Sequence, residues 1–426
     1  MGGGLESGEF DGQPFGRSFA DRGLTALTGL FVFAVGFVQV PLPIFGLPVR
    51  LSEAAFVPAV AAALIAGVKL RWHPALFWIT VYLVLGSAAA GFSSDPVRSY
   101  RHVFGEIYLA TACLFVYAAA MRSGLRPLVL TWLFAAACSV CLGLLTLMLF
   151  YVSPASRWLE PLTYHQGSVP IDGVPRITAA FVSASMFFNY LSVGIPLAWL
   201  ARSRGWISRR LYLTLLIGIT AAAAFTFSIG LGGLLIIAAA GVLVRKRGRT
   251  TTVVAATLAL LAAAWLGAAF FTPRPYPEAA SRVSLPVVGE IFPSARSMVW
   301  SEALDTIAAH PLLGVGPGMP VVRVLFTNPD GTRSLLTDAH NTFLNVSAER
   351  GLGGGLVLLI FCAEIVRRGL RSRHRGGGHT ALALAWSVGF IYQGMLGSFE
   401  DALHLWVLLG MVLAGEERVG PAGDVE

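Results

Sequence analysis

Hydrophobic runs of about twenty residues recur along the whole chain and are separated by short polar segments. An α-helix of that length crosses the hydrocarbon core of a bilayer. The pattern therefore predicts an all-α, polytopic integral membrane protein with about 12 transmembrane helices. The predicted spans are residues 24–41, 52–68, 74–92, 103–121, 127–151, 178–200, 210–226, 229–244, 252–271, 342–366, 380–397 and 402–415.

The composition agrees with this fold class. Hydrophobic residues make up 55% of the chain and charged residues only 13%, which is about half the charged share of a soluble domain. The first hydrophobic run lacks a small-residue cleavage site, so we expect an anchor and not a removed signal peptide. The predicted organisation is a cytoplasmic leader at 1–23, a single transmembrane domain at 24–415 and a cytoplasmic tail at 416–426.

The basic residues are distributed unequally between the two sides of the membrane. With the N-terminus in the cytoplasm, most of the 31 lysines and arginines fall in short cytoplasmic loops, as the positive-inside rule requires. Both termini are therefore predicted to be cytoplasmic. The net charge of +8 follows from this bias, and basic clusters such as 245–249 act as topology signals. We expect contact with membrane lipid and no nucleic-acid partner.

Two outer loops stand out by their length, at 153–177 and 272–341. The longer one contains a predicted surface helix that follows Ser294 as N-cap and ends before His310-Pro311. One face of this helix is apolar, so we expect it to lie on the outer membrane surface or to cap a cavity. The apolar residues at helical spacing are Val299, Trp300, Ala303, Leu304 and Ile307.

His340 lies where the long polar loop meets the tenth predicted span. A helix N-terminus carries partial positive charge, which favours a neutral imidazole able to accept a proton. Asn341, Asn345 and Glu349 follow at intervals of four residues and form a polar stripe on one helix face. A carboxylate at that depth needs a cavity or a partner, and Arg350 is the obvious candidate. Two interpretations stay open: a functional site, or a helix cap with a stripe that binds a neighbouring helix.

Three arginines on the predicted outer side are candidates for binding an anion. Arg176 precedes the sixth span, and Arg282 and Arg296 lie in the long loop. Guanidinium groups bind phosphate oxygens through paired hydrogen bonds and stay charged. For each of them, a solvated face or a lipid-headgroup contact is an equally simple explanation.

Several classes of function are excluded by missing motifs. The chain has no His-Glu-x-x-His and no Gly-x-x-x-x-Gly-Lys, so zinc proteases and P-loop ATPases have no support. The outer acidic pairs, Glu302 with Asp305 and Glu400 with Asp401, form no recognised metal-binding motif, so no metal and no cofactor are expected. The glycines at 314–318 predict a turn, and those at 351–355 predict a close-packing helix face.

Three segments resemble the O-antigen ligase / O-antigen polymerase family of bacterial envelope proteins. The first is Arg176-Ile177-Thr178-Ala179-Ala180-Phe181, with Asn189-Tyr190-Leu191 after it. The second runs from Ser294-Ala295-Arg296 to His310-Pro311-Leu312-Leu313-Gly314-Val315-Gly316. The third is His340-Asn341-Thr342-Phe343-Leu344 with Glu349-Arg350-Gly351. Their order and spacing also fit, from about residue 90 to 415.

This resemblance implies a GT-C-like enzyme of the bacterial inner membrane with its active site facing the periplasm. It implies transfer of a glycan from a polyprenyl-diphosphate carrier to an acceptor hydroxyl on lipid A core, a glycan or a protein, without nucleotide sugar or metal. His340 would be the general base, and Arg176 and Arg296 would hold the diphosphate. The other residues expected to contact substrate are Arg282, Asn341, Asn345, Glu349 and Trp300.

One position departs from the family pattern. Members often carry Ser-Arg where this chain has Ser228-Ile229, so Arg282 is the candidate for the missing phosphate contact. Outside enzymes, a transporter or flippase for a lipid-linked or anionic solute would also have twelve spans. The long outer loop with its helix, the boundary histidine and the outer arginines favour the enzyme.

Overall fold

The structure is a computed structural model, and it describes most of the chain as a bundle of α-helices with short antiparallel strand pairs. The described residues are 19–44, 47–153, 162–164, 175–228, 230–235, 257, 260–261, 283–285, 289–291, 295–327, 333–371 and 378–417. The helices are α1 (Phe19–Ala34), α2 (Leu51–Ile65), α3 (Ala75–Gly91), α4 (Pro96–Ser123), α5 (Leu125–Val152), α6 (Ala184–Ser203), α7 (Arg209–Phe225), α8 (Ala295–Ala309), α9 (Thr342–Arg371), α10 (Gly378–Trp386) and α11 (Leu403–Glu417). A π-helical segment, Ser387–Tyr392, continues α10.

The strands form four separate hairpin-like pairs. They are β1 (Pro41–Ile44) with β2 (Leu47–Arg50), β3 (Thr163–Tyr164) with β4 (Arg176–Ile177), β5 (Val283–Leu285) with β6 (Gly289–Ile291), and β7 (Val324–Thr327) with β8 (Arg333–Leu336). All four pairs are antiparallel. They sit in the connections between helices, so the fold is mainly helical, as predicted.

Four helices among the described residues, α4, α5, α6 and α9, are long and apolar enough to cross a membrane. α2, α3 and α11 are shorter apolar helices. Ten of the predicted spans overlap described helices, whereas most of 229–244 and 252–271 lies outside the described residues.

Two predicted span boundaries shift for local reasons. α4 starts at Pro96, about two turns before the predicted span, because the Asp95 carboxylate accepts the backbone N–H of Arg98 at 3.0 Å. α6 starts at Ala184, later than predicted, because Ala179 has a left-handed φ of 47°. Ser183 then caps α6 by accepting the N–H of Met186 at 3.1 Å.

The helix predicted in the long loop is α8, and it packs on protein. Val299, Ala303 and Ile307 are buried in a small core with residues 321–324, and α8 contacts α9. Leu304, which belongs to the same predicted stripe, is 55% exposed. The helix therefore covers the first turns of α9. Its predicted N-cap, Ser294, lies outside the described residues.

A kink in α9 receives the glycine-rich segment that follows α8. Gly351 has φ 71° and ψ 178°, which interrupts the helical hydrogen bonds. The carbonyls of Ala348 and Glu349 accept the N–H groups of Val315 and Gly316, both at 2.9 Å. The predicted turn at 314–318 is thus confirmed, with positive φ at Gly314, Gly316 and Gly318. It supplies the donors that the broken helix needs.

Gly351→Ala should destabilise the protein by about 1–2 kcal/mol or more, because a left-handed backbone is strained for any residue with a Cβ. The added Cβ would also fall on the carbonyls of Pro311 and Leu312. Gly353→Ala is the matched control, since a Cβ there meets open space and alanine is the better helix former. Thermal unfolding of the two purified variants measures the difference. Equal melting of both would show that the kink does not depend on glycine.

The polar groups of the bundle gather at two opposite ends. At one end, Arg122 pairs with Asp21 at 2.9 Å and Arg368 with Glu416 at 2.7 Å. At the other end, Arg98 reaches the loop at Gly318, its Nε donating to that carbonyl at 2.9 Å. The first end collects loops predicted to be cytoplasmic, and the second collects loops predicted to be outer. We call the second the site end.

Candidate functional site

His340 lies at the site end, two residues before α9, in a strained backbone conformation. Its φ is 47°, in the left-handed region, where residues other than glycine are uncommon and often functional. The backbone N–H of His340 donates to the Asp338 carboxylate at 2.7 Å, and the ring Nδ1 contacts the same oxygen. The His340 side chain is 42% exposed. This pairing orients the ring and leaves Nε2 as the nitrogen able to accept a proton.

Asp338 stays ionised at neutral pH. Burial raises the pKa of this carboxyl, but the hydrogen bonds from His340 and the positive charge of its protonated ring lower it by more. The net result is a pKa below the usual range. A group with a lowered pKa stabilises the fold above its ordinary pKa and loses that contribution only as the pH falls through the lowered value.

Asn341 is the N-cap of α9. Its side-chain oxygen accepts the backbone N–H groups of Phe343 at 3.0 Å and Leu344 at 3.2 Å, which is the standard role of asparagine at this position. Its amide nitrogen donates to the Met395 carbonyl at 3.4 Å. The sequence left open whether His340 caps the helix, and the structure shows that its neighbour Asn341 does.

Asn345 and Glu349 are buried and bind other segments of the protein. The Asn345 amide donates to Glu400 at 2.6 Å, and its oxygen accepts the N–H of Ala339 at 3.2 Å. The Glu349 carboxylate accepts the N–H of Gly318 at 2.9 Å. The polar stripe therefore ties the His340 loop and the glycine turn to α9.

Arg350, the expected partner of Glu349, has a closer partner elsewhere. Its Nη2 lies 4.0 Å from the Glu349 carboxylate but forms a short ion pair with Glu106 of α4. The guanidinium also lies 4.0 Å above the ring of Tyr82, whose hydroxyl donates to Glu106 at 3.3 Å. Arg350 and Glu106 are fully buried. This pair joins α3, α4 and α9.

Two further acidic residues, Glu400 and Asp401, lie in the loop before α11. Burial, and then the charge of Asp401, raises the pKa of Glu400. His102 Nε2 lies 3.3 Å from Asp401 and 3.8 Å from Glu106. The ligand atoms of His102, Glu106 and Asp401 lie within 4.8 Å of one another. A cation there would have to share Glu106 with Arg350, which weakens the case for a metal.

His102 is not among the predicted site residues, because it lies far from Glu400 and Asp401 in the sequence. His102 comes from α4, about 300 residues earlier in the chain. The one available signal was the spacing of His102 and Glu106, four residues apart on a predicted helix.

A cavity of about 690 Å³ opens beside these groups at the site end. Three arginines line it, Arg50, Arg98 and Arg101, and none of them was among the predicted site residues. The other lining residues are Val38, Ser52, Glu53, His102, Gly105, Tyr108, Leu109, Val182, Met186, Gly318, Asp401, Ala402, Leu403 and His404. The cavity thus adjoins the glycine turn, the Glu400 loop and the residues that follow Arg176.

The structure describes the side chain of one of the three predicted arginines. Arg176 lies in β4, and its Nε donates to the Thr226 carbonyl at the end of α7 at 2.8 Å. Arg296 lies in the first turn of α8, where only the backbone is described, and Arg282 lies outside the described residues. Trp300 is half-buried in the small core under α8, and its ring nitrogen has no hydrogen-bond partner within the described residues.

Residues 211–359 match the family model described as O-Antigen ligase. The match supports assignment of the chain to the O-antigen ligase family. No curated protein matches the chain. The region matched by the O-antigen ligase model spans α7 to the middle of α9 and includes α8, the glycine turn and His340. Arg176 and the three cavity arginines lie before it.

The predicted resemblance to the O-antigen ligase family is therefore confirmed over residues 211–359. Together with the apolar helices, the O-antigen ligase match indicates a multi-pass membrane protein and a glycosyltransferase-type enzyme of the ligase or polymerase kind. Enzymes of this kind use lipid-linked glycan donors and glycan acceptors in general.

Proposed function

We propose that this protein transfers a glycan from a polyprenyl-diphosphate carrier to an acceptor hydroxyl at the outer leaflet of the inner membrane. The observation that supports it best is the His340–Asp338 pair at the site end. A histidine oriented through Nδ1 by a carboxylate, with the rest of the ring half-exposed, has the arrangement of a general base. The charge bias supports a periplasmic location for this end, and the hydrophobic runs support a domain of about twelve spans.

In the proposed reaction, Nε2 of His340 takes the proton of the acceptor hydroxyl as its oxygen bonds to the anomeric carbon. The bond from that carbon to the diphosphate breaks, and the electron pair leaves with the diphosphate. Arg176 and Arg296, with Arg282, would neutralise the charge that builds there. Because the leaving group is already good, arginines suffice in place of a metal. Direct attack inverts the anomeric configuration, so retention in the product would contradict the mechanism.

Asn341, Asn345, Glu349 and Trp300 enter this proposal mainly as positioning residues. Asn341 starts α9 next to His340, and Asn345 with Glu349 holds the His340 loop and the glycine turn together. Any contact of these residues with a sugar would be made by their solvent-exposed atoms. The acceptor is lipid A core, a growing glycan or a protein. Its identity determines whether the enzyme acts as a ligase or as a polymerase.

The test is an assay that pairs the purified protein with a polyprenyl-diphosphate glycan and each candidate acceptor. Product formed by the protein alone would support a transferase. A transporter or flippase, which the number of spans also allows, would move the lipid-linked glycan across proteoliposomes without forming product. Movement without product would therefore overturn the proposal.

Asp338→Asn should lower the transfer rate at least tenfold, because the neutral amide neither stabilises the imidazolium nor fixes the ring tautomer. The ionised carboxylate persists below the ordinary carboxyl pKa of about 3.9, since His340 holds the pKa of Asp338 below its usual range. Asp338 is therefore ionised at neutral pH, and the loss should already be full at pH 7. Initial rates of both purified proteins at pH 7 measure it, and transfer by Asp338→Asn at the wild-type rate would contradict a functional His340–Asp338 pair.

A further inference from the structure

The cavity lined by Arg50, Arg98 and Arg101 has the charge and setting of an anion site. Four helices begin around it, since its lining includes first-turn residues of α2, α4, α6 and α11. The N-terminus of a helix carries partial positive charge, which favours a phosphate group. Three guanidinium groups at the same place add full positive charges.

Two carboxylates also line the cavity, but both are engaged with the protein. Glu53 accepts the backbone N–H of Arg50 at 3.1 Å, and Asp401 lies 3.3 Å from His102 Nε2. Arg98 is held at the edge by its hydrogen bond to the Gly318 carbonyl at 2.9 Å.

The remaining wall of the cavity is apolar and reaches the outside of the bundle. Val38, Leu109, Met186 and Leu403 line it, with Val182, which is 57% exposed. Phe104, on the same part of α4 as Arg101, is 67% exposed. Exposed apolar side chains of a membrane protein face lipid. A ligand that fits carries its negative charge next to a hydrocarbon body.

We propose that this cavity binds the phosphate group of a membrane lipid. Resting on the proposed function, the lipid is either the carrier, whose diphosphate these arginines would hold in addition to Arg176 and Arg296, or a phosphorylated lipid acceptor. Both present the same chemistry to the three arginines. The site would then hold one substrate of the reaction beside the loop network that positions His340.

The experiment measures binding of two probes to the purified full chain in nanodiscs. Farnesyl diphosphate represents the carrier and monophosphoryl lipid A represents a phosphorylated acceptor. Arg98→Gln combined with Arg101→Gln should weaken binding of at least one probe tenfold or more. Arg101→Gln alone is the second variant, because Arg98 also holds Gly318.

Arg323→Gln combined with Arg333→Gln is the matched control. It also removes two positive charges, but from exposed arginines of the long loop that do not line the cavity. A loss confined to farnesyl diphosphate would identify the carrier as the ligand, and a loss confined to lipid A would identify the acceptor. Wild-type affinity of the cavity variants for both probes would overturn the proposal. An equal loss of affinity in the control variant would also overturn the proposal, and so would inorganic diphosphate that binds as tightly as the two lipid probes. Binding requires no turnover, so the result does not depend on the role of His340.

Discussion

His340→Gln should reduce glycan transfer by at least a hundredfold while leaving the protein folded. General bases contribute about 10²–10⁴-fold to rate, and glutamine keeps the size of the ring without its ability to accept a proton. The side chain is half-exposed and its defined contact is with Asp338, so little stability is lost. Initial rates with a polyprenyl-diphosphate glycan and an acceptor measure the effect, and intact lipid-linked donor should accumulate.

His310→Gln is the control, because this exposed histidine lies in the same long outer connection, at the end of α8. It should retain most of the wild-type rate and show that replacing a loop histidine is not harmful in itself. If His340→Gln transferred glycan at the wild-type rate, His340 would not be the base. Asp401 and Glu400, whose carboxylates lie at the same end of the bundle, would then be the next candidates for the base.

Arg350→Met should destabilise the protein by about 3–5 kcal/mol, the usual cost of breaking a buried ion pair from one side. Glu106 would be left in a buried site without its partner, where either staying charged or taking up a proton is costly, and Glu349 would lose the nearest guanidinium. Tyr82 would also lose the cation above its ring. The expected result is a large drop in the melting temperature and in the amount of folded protein recovered.

The double variant Glu106→Gln with Arg350→Met should recover part of this loss, since residue 106 then carries no unpaired charge. Arg122→Met is the control for removing an arginine from an ion pair. Its pair with Asp21 is at the other end of the bundle, with the Arg122 side chain 48% exposed, where such pairs contribute about 0–1 kcal/mol. Melting of Arg350→Met at the wild-type temperature would show that the buried pair contributes nothing net.

Much of this architecture follows from local sequence patterns. A run of apolar residues must satisfy its backbone hydrogen bonds within itself in a bilayer, so it forms a helix whatever its neighbours are. The described helices therefore overlap the predicted spans, and α8 follows from its apolar spacing alone. The position of His340 at a helix start is a local property too, and the prediction of family membership depended on such short segments.

The partners of the polar residues were decided only by the tertiary structure. The Arg350–Glu106 pair joins residues 244 positions apart, and no local pattern identifies which buried carboxylate faces a given arginine. The glycine turn at 314–318 is readable as a turn, but only the kink at Gly351 explains what it binds. Likewise, Arg50, Arg98 and Arg101 look in sequence like scattered outer charges, and the packing of four helix starts brings them to one cavity.

The helical membrane architecture and the histidine just before α9 can be predicted from single segments, because hydrophobic burial and helix capping act within one segment. The contacts of that histidine and of the helix that follows it depend on the folded protein. Those contacts join segments that are far apart in the chain, and their geometry depends on how the helices pack.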